Sequence, residues 1–330
     1  MKRAAVIILN WNGAELLQKY LPQVIANTSK QVGECCVDIV VADNASTDAS
    51  LEVLANQFGD IAVVRLDANY GFTGGYNRAV AQVNADYVVL LNSDVAPREG
   101  WIEPLIELME NDPTVAVCAP KILDDKRRTH FEYAGAAGGR LDILGYPFCR
   151  GRVMNNIEVD NGQYDDDADC LWVSGAALMI RRELYMESLL DEDFFAHMEE
   201  IDLCWRLRNR GFRIVACGKS AVYHLGGATL DASNPRKTYL NFRNNLIMMV
   251  KNYNSRLWPL VLLLRLLMDG VAGLMNLVQG KPRFVGAIIK AHWHFFASLR
   301  TALRKRKALS DRRTHHLPKE IYRGLFYFAR

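Results

Sequence analysis

Four short polar stretches in the first hundred residues each follow an apolar run, and each carries side chains suited to an anionic, hydroxyl-rich ligand. They are Asn10-Trp11-Asn12-Gly13, Asp43-Asn44-Ala45-Ser46-Thr47-Asp48, Asn69 to Asn77 with Gly71, Gly74 and Gly75, and Asn92-Ser93-Asp94. Trp11 either offers a flat face to a base or packs as a core aromatic. Asp43 can accept hydrogen bonds from a pyrimidine N–H and from ribose hydroxyls. The glycines let the backbone approach a ligand closely just before a helix N-terminus, a natural seat for phosphate. Their G-x-x-G-G spacing follows the third strand and is not the G-x-G-x-x-G dinucleotide fingerprint, so a nicotinamide cofactor is not expected. Asp94 can hold Mg²⁺ or Mn²⁺ between diphosphate oxygens, a task that needs one or two carboxylates. Alternatively it caps a following helix. One such loop is ordinary turn chemistry; four in succession point to a shared ligand site.

A second constellation is Glu199-Glu200-Ile201-Asp202-Leu203-Cys204-Trp205-Arg206. Acidic residues favour a helix N-terminus on dipole grounds, and Asp202 and Arg206 stand at i,i+4 spacing for a simple pair. Glu199 and Glu200, however, follow Phe194-Phe195-Ala196, an apolar setting that raises a carboxylate's pKa towards base function. His224, before Gly226-Gly227, is either a metal ligand or a structural histidine.

The elements that must position these groups read as a repeated β-α pattern. Runs at 4–9, 37–42, 61–66 and 87–92 are buried strands, with helical spacing over 14–26, 47–58 and 74–84. A helix over 99–111 and a strand over 115–120 continue the pattern, which predicts a parallel sheet with helices on both faces. In such a sheet ligands bind beyond the carboxyl ends of the strands, where the four polar loops fall. The stretch 124–169 is polar, acidic and Gly-rich, with hairpin-like pieces around Gly135 to Gly145, and reads as a mobile excursion. Order resumes with a strand turning into a helix over 172–183, a helix over about 198–210, and strands over 213–218 and 221–227.

Charge divides the chain. Residues 1–250 carry 24 Lys and Arg against 34 Asp and Glu, a net of −10, whereas residues 251–330 carry 16 against 3, a net of +13. The basic part also holds long apolar runs, so an anionic membrane surface fits it better than nucleic acid. The run 257–280 contains Arg265, Asp269 and three glycines; central charges make crossing a bilayer costly. An in-plane or re-entrant helix, or an oligomer contact through 257–307, is expected instead, followed by a basic amphipathic segment over 283–307. Two units follow, 1–250 and 251–330. Seven cysteines without a C-x-x-C pair read as reduced structural thiols. Lys2-Arg3 and the run Ala4 to Leu9 form too short an apolar stretch for a signal peptide and read as a first strand.

Taken together, ILNWNG, VADNASTD, NYGFTGGYN, LLNSD, WVSGA, EEIDLCWR and HLGG resemble, in order and over roughly residues 4–245, the family-2 inverting glycosyltransferases of the GT-A fold, and within them the rhamnosyltransferase-like branch. The resemblance implies an α/β GT-A domain, a Rossmann-like mostly parallel central sheet with flanking helices, to which the basic apolar tail adds a C-terminal helical membrane-associating extension. It also implies inverting sugar transfer from a nucleotide diphosphate donor, with dTDP-L-rhamnose first and UDP-hexoses as alternatives, in cell-surface polysaccharide synthesis. Asn10, Trp11, Asn12, Asp43, Asn69, Gly71, Gly74, Asn77, Asn92 and Ser93 are then donor-side, and Trp172, Ser174 and Gly175 acceptor-side. The D-x-D metal motif becomes Asn92-Ser93-Asp94, leaving Asp94 as the carboxylate ligand of Mg²⁺ or Mn²⁺ and His224 as a second ligand. Glu200 falls at the catalytic base, with Glu199 as the alternative. The implied acceptor is a lipid-linked saccharide met by a peripheral protein at the cytoplasmic membrane face. A paired-carboxylate glycoside hydrolase and a degenerate membrane-bound scaffold are the competing readings.

Overall fold

The computed structural model describes residues 1–154, 156–226, 234–309 and 318–322; Gly227 of the HLGG motif lies outside them. The first half alternates strand and helix: β1 (Lys2–Asn10), α1 (Ala14–Asn27), β2 (Gln31–Val32), β3 (Cys35–Asp43), α2 (Ser50–Gln57), β4 (Ala62–Arg65), α3 (Gly71–Gln82) and β5 (Tyr87–Asn92). Then follow β6 (Val95–Pro97), α4 (Glu103–Asn111) and β7 (Val115–Asp124). After the excursion come β13 (Ala177–Arg181), α5 (Arg182–Ser188), α6 (Glu199–Asn209) and β14 (Arg213–His224).

These strands form one sheet in the order β12-β14-β7-β13-β5-β1-β3-β2, where β12 is Ala168–Asp169, with β4 on β3 and β6 on β14. Neighbours β1, β3 and β5 run parallel, as do β3 with β4 and β7 with β14. The sheet is nevertheless mixed: β13 enters antiparallel between β5 and β7. It returns from the excursion without a crossover helix, the connection that parallel entry needs. The expected strands over 213–218 and 221–227 are one strand, β14, with a bulge between Cys217 and Ala221.

Burial on both faces explains the continuous apolar runs. In β1, Ala5 and Ile7 join the core that holds Tyr76 and Val80 of α3, while Ala4, Val6 and Ile8 join Leu17, Leu21 and Val24 of α1. Each fully buried aliphatic side chain contributes about 1.5–3 kcal/mol relative to exposure, so alternation to two cores makes a register slip costly along the whole strand.

The excursion expected to be mobile is instead a second small sheet. β8 (Gly139–Asp142), β9 (Pro147–Cys149), β10 (Arg152–Val153) and β11 (Asn156–Ile157) pair in succession, and β15 (Ile321–Tyr322) adds to β8. The turn between β8 and β9 is set by Asp142, whose Oδ1 accepts from Leu144 N and Tyr146 N at 3.0 and 2.8 Å.

Three helices complete the described chain: α7 (Pro235–Asn252), α8 (Trp258–Val278) and α9 (Pro282–Ala308). α7 runs through residue 250 and packs along α9. Helix α8 is long and apolar enough to cross a membrane, but its two charges are buried against protein. Arg265 Nε donates to Asp269 Oδ1 at 2.7 Å, and Arg265 also donates to Leu144 O and Asn245 Oδ1. Asp269 is met further by the Tyr146 hydroxyl and by His292 of α9, each at 3.2 Å. All seven cysteines are free thiols.

Candidate active site

The polar loops meet at the carboxyl edge of β1, β3 and β5 because Asn10 stands in register with Asp43, and Leu9 with Asn92. Asn10 Nδ2 donates to Asp43 Oδ1 at 3.2 Å and to Ser46 Oγ at 3.1 Å, and Ser46 N donates to Asp43 Oδ2 at 3.0 Å. Asn12, at φ 49°, accepts from Thr47 N through Oδ1 at 2.7 Å. Asn44 links the next loop, accepting from Tyr70 N and donating to Gly71 O, both at 3.0 Å, while Asn69 Oδ1 accepts from Gly71 N at 2.9 Å. Asp43 is buried at the base of this lattice, whereas Trp11 is 51% exposed, which excludes its reading as a core aromatic. Asn44 was missed as a single residue, although it lies inside a motif read as ligand-binding.

The donor-side residues also carry contacts of their own within the fold. The glycines sit inside α3 and allow close packing: a Cβ on Gly71 would lie 2.7 Å from Phe195 Cε2, on Gly74 2.9 Å from Tyr70 Cβ, and on Gly75 2.9 Å from Leu9 Cδ1. Asn77 faces away from the loops. Its Oδ1 accepts from Leu190 N and the Tyr185 hydroxyl, and its Nδ2 donates to Leu190 O. Asn10, Asn12 and Asn69 likewise act through the loops they hold together. Asn92 and Ser93 are partly exposed beside the start of β13, where Asn92 N donates to Ala176 O at 2.9 Å.

Asp94 is followed by strand β6, so it is not a helix N-cap. Pairing of β6 with β14 sets Val95 opposite His224, and His224 Nε2 lies 3.2 Å from Asp94 Oδ1. Burial alone would lower the His224 pKa; the hydrogen bond and charge of Asp94, with Glu132 behind, carry it above the ordinary histidine value. Glu132 Oε1 is 3.9 Å from His224 Nδ1, a neighbour from the excursion that no local sequence signal marked.

Two donors about 3 Å apart are spaced like adjacent ligands around a cation with bonds of about 2.1 Å. Buried His224 Nδ1 has no hydrogen-bond partner, and a carboxylate with an imidazole is a donor set that accepts Mn²⁺ or Mg²⁺. Among the described residues no group of three or more His, Cys, Asp or Glu is placed to hold a metal. The pair therefore fits a cation whose remaining ligands come from substrate and water.

The acidic constellation begins at a strained turn. Phe195, His197 and Met198 have φ of 65°, 67° and 71°, a region that L-residues with side chains avoid. From it α6 starts with Glu199, which is buried, and Glu200, which is partly exposed. Both Oε2 atoms are buried without hydrogen-bond partners. Burial pushes Glu200 up to about 7 against the pull of the Glu200 and Ile201 backbone N–H groups. Burial and the neighbouring Glu200 charge also raise Glu199 well above the usual carboxylate range. Asp202 is structural, bonded to Arg206 Nε at 2.8 Å and Lys251 Nζ at 2.9 Å.

Of the acceptor-side residues, Gly175 lies beside the acidic pair: a Cβ built on it would stand 3.6 Å from Glu200 Cβ and from Phe72 Cζ. Trp172 and Ser174 are buried supports, Trp172 Nε1 donating to Arg140 O at 3.0 Å and Ser174 Oγ to Ala134 O at 2.7 Å. Their polar atoms hold the excursion to the sheet.

Comparison with known proteins places the fold and the family. Residues 5–187 match glycosyl transferase family 2, a span that stops just short of Glu199. The chain is 24% identical over 238 residues to an N-acetylglucosaminyl-diphospho-decaprenol L-rhamnosyltransferase of Mycobacterium tuberculosis, covering 66% of this chain and 75% of that protein. The mannosyltransferase PcManGT of Pyrobaculum calidifontis, solved with GDP-Man and Mn²⁺, is 15% identical with a TM-score of 0.56, over 89% of this chain and 87% of that one. GalNAc-T7, solved with UDP, GalNAc and Mn²⁺, is 17% identical with a TM-score of 0.57; 76% of this chain is covered but only 48% of that one, about half its length. At such identities the two structures establish the fold, and the family match establishes the family. The chain belongs to glycosyl transferase family 2: it is a GT-A glycosyltransferase that moves a sugar from a nucleotide-sugar donor.

Proposed function

We propose that the protein transfers a sugar with inversion onto a hydroxyl of a lipid-linked saccharide in cell-surface polysaccharide synthesis, with dTDP-L-rhamnose as the first donor to test. The observation that carries the reading is Glu200: a partly exposed carboxylate with an unpartnered buried Oε2, raised to about 7, facing Gly175. A base is most effective when its pKa lies near the working pH. Glu200 takes the acceptor hydroxyl proton as the oxygen bonds to the anomeric carbon, and the bond from that carbon to the diphosphate breaks on the opposite face. Glu199, buried beside it, is likewise disfavoured as a charged group. Asp43 and Trp11 take the base and ribose of the donor, with the N-terminus of α3 towards the phosphates. Asp94 and His224 would hold a divalent cation, which when bound neutralises charge on the departing diphosphate. The rhamnosyl preference draws on the mycobacterial relative; UDP-hexoses are the alternative donors.

The same reading places the protein peripherally on the cytoplasmic membrane face. Leu260, Leu263, Leu264, Leu267, Val271 and Leu274 of α8 and Trp293 and Phe296 of α9 are all at least 45% exposed. Arg283, Arg300, Arg304 and Lys307 are exposed on α9. With Arg265 and Asp269 paired inward, α8 keeps one face on protein and one free, which supports lying in the plane of an anionic surface over crossing it.

A donor panel with and without Mn²⁺ or Mg²⁺, scored by nucleotide diphosphate release, tests the reaction. Metal-dependent release from one donor, increased by lipid-linked saccharide, is the expected result. No release from any donor above the buffer rate would leave the scaffold reading standing, and hydrolysis of glycosides without nucleotide binding would favour a hydrolase.

A further inference from the structure

The turn that launches α6 is held from both sides by asparagines. On one side Asn77 of α3 brackets Leu190. On the other, Asn244 of α7 is fully buried, and its single Nδ2 lies 3.1, 2.9 and 2.8 Å from the carbonyl oxygens of Phe194, Ala196 and His197. The adjacent Arg243 orients that amide. Its Nε donates to Asn244 Oδ1 at 2.9 Å, and its Nη2 donates to Asp193 O and Phe194 O at 2.6 and 3.3 Å.

Three carbonyl dipoles converging on one point repel one another, and without Asn244 they lose their shared donor. The left-handed residues 195, 197 and 198 add backbone strain. A relaxed turn would therefore straighten, and Glu200, two residues beyond Met198, would move with it. We propose that Asn244, oriented by Arg243, is a positioning residue for this transferase: its carboxamide gathers the 194–197 carbonyls and so fixes where the Glu200 carboxylate stands. The inference rests on the reading of Glu200 as base. It makes helix α7 a determinant of turnover.

The test compares Asn244→Ala in the wild-type and Glu200→Gln backgrounds, measuring kcat and, separately, nucleotide diphosphate affinity. A misplacement of about 1 Å costs on the order of 100-fold in rate. The expected result is thus a kcat loss of about 100-fold with donor affinity within about threefold of wild type. In Glu200→Gln, whose base is already gone, the same change should cost less than about threefold more. Wild-type kcat in Asn244→Ala, or an equal loss in both backgrounds, would overturn the proposal, the second because a merely structural residue acts regardless of Glu200. If Asn244→Ala fails to fold, Asn244→Gln, which keeps the N–H donors on a longer stem, takes its place. It should lose about tenfold in kcat in the wild-type background alone, and an unchanged kcat or an equal loss in both backgrounds overturns the idea. Full turnover in Glu200→Gln by itself would remove the base reading and this one together. A slowed Glu200→Gln beside an unimpaired Asn244→Ala would remove only this one.

Discussion

The donor edge and the acidic turn are built in opposite ways. At the donor edge, polar groups hold one another across short sequence separations, 33 residues for Asn10 with Asp43 and 25 for Asn44 with Asn69. At the acidic turn the two glutamates keep unpartnered oxygens, and the restraint comes from afar. Asn244 lies 50 residues from Phe194, and Lys305 of α9 lies 114 from Asp191, at 2.6 Å. Burial would raise Asp191, yet Lys251 and Lys305 hold it well below the usual carboxylate range. A cross-braced lattice, in which Asn10 Oδ1 lacks a partner but both Asp43 oxygens are bonded, gives a binding floor. A strained turn clamped from outside leaves a carboxylate with unspent capacity to take a proton. Binding and chemistry should accordingly separate under mutation.

The largest separation is expected at Glu200. Loss of a general base costs about 10²–10⁴ in rate, so Glu200→Gln should lower kcat by that much, to a residual rate still measurable in long incubations, while nucleotide diphosphate affinity persists. A simultaneous loss of affinity, measured by calorimetry, would erase the distinction between the two regions. Next is Asp94, which borders both. Asp94→Asn or a chelator should weaken donor binding and slow transfer by about 100-fold, and added Mn²⁺ should reverse only the chelator. Full donor affinity in chelator would remove the metal role of Asp94 and His224.

A smaller effect follows from pH. Only ionised Glu200 can accept a proton, so kcat/KM should climb as pH rises through about 7 and then level off. The sign for stability is opposite. The folded state binds this proton more tightly than an unfolded glutamate, whose pKa is about 4.3, so stability falls as pH rises from there to about 7. Glu200→Gln removes that share, and its melting temperature should decline less than that of wild type between about pH 5 and 8. An equal decline would show that Glu200 is solvated and the turn looser than drawn.

The same contrast explains what could be read from the chain alone. Strand ends at Asn10, Asp43 and Asn92 were legible because each loop directly follows an apolar run with a single burial pattern. The entry of β13 in antiparallel sense was not, since periodicity carries no strand direction. The glycines 71, 74 and 75 were visible as close approaches, but only the fold shows Phe195, Tyr70 and Leu9 as the groups approached. Glu199 and Glu200 stood out by composition, whereas the clamp by Asn244 depends on a helix placed by tertiary packing. The excursion over 124–169 misled because its order comes from short strands and side-chain bonds, such as those of Asp142, that leave no hydrophobic period.

The smallest predicted effect probes the donor edge where it is least buttressed. Trp11 is 51% exposed between Asn10 and Asn12, which are both tied to the 43–48 loop. Removing a half-exposed ring costs little in folding, so Trp11→Ala should keep the wild-type melting temperature. Stacking of an aromatic ring on a base is worth about 1–3 kcal/mol, and an exposed edge should deliver the lower end. Donor KM should then rise about tenfold or less with kcat unchanged, as expected for an interaction made equally in ground and transition states. Steady-state kinetics at saturating acceptor separates the two terms. A fall in kcat at constant KM would instead place Trp11 with the acidic turn, and the division between a binding floor and a clamped base would fail at the residue most open to solvent.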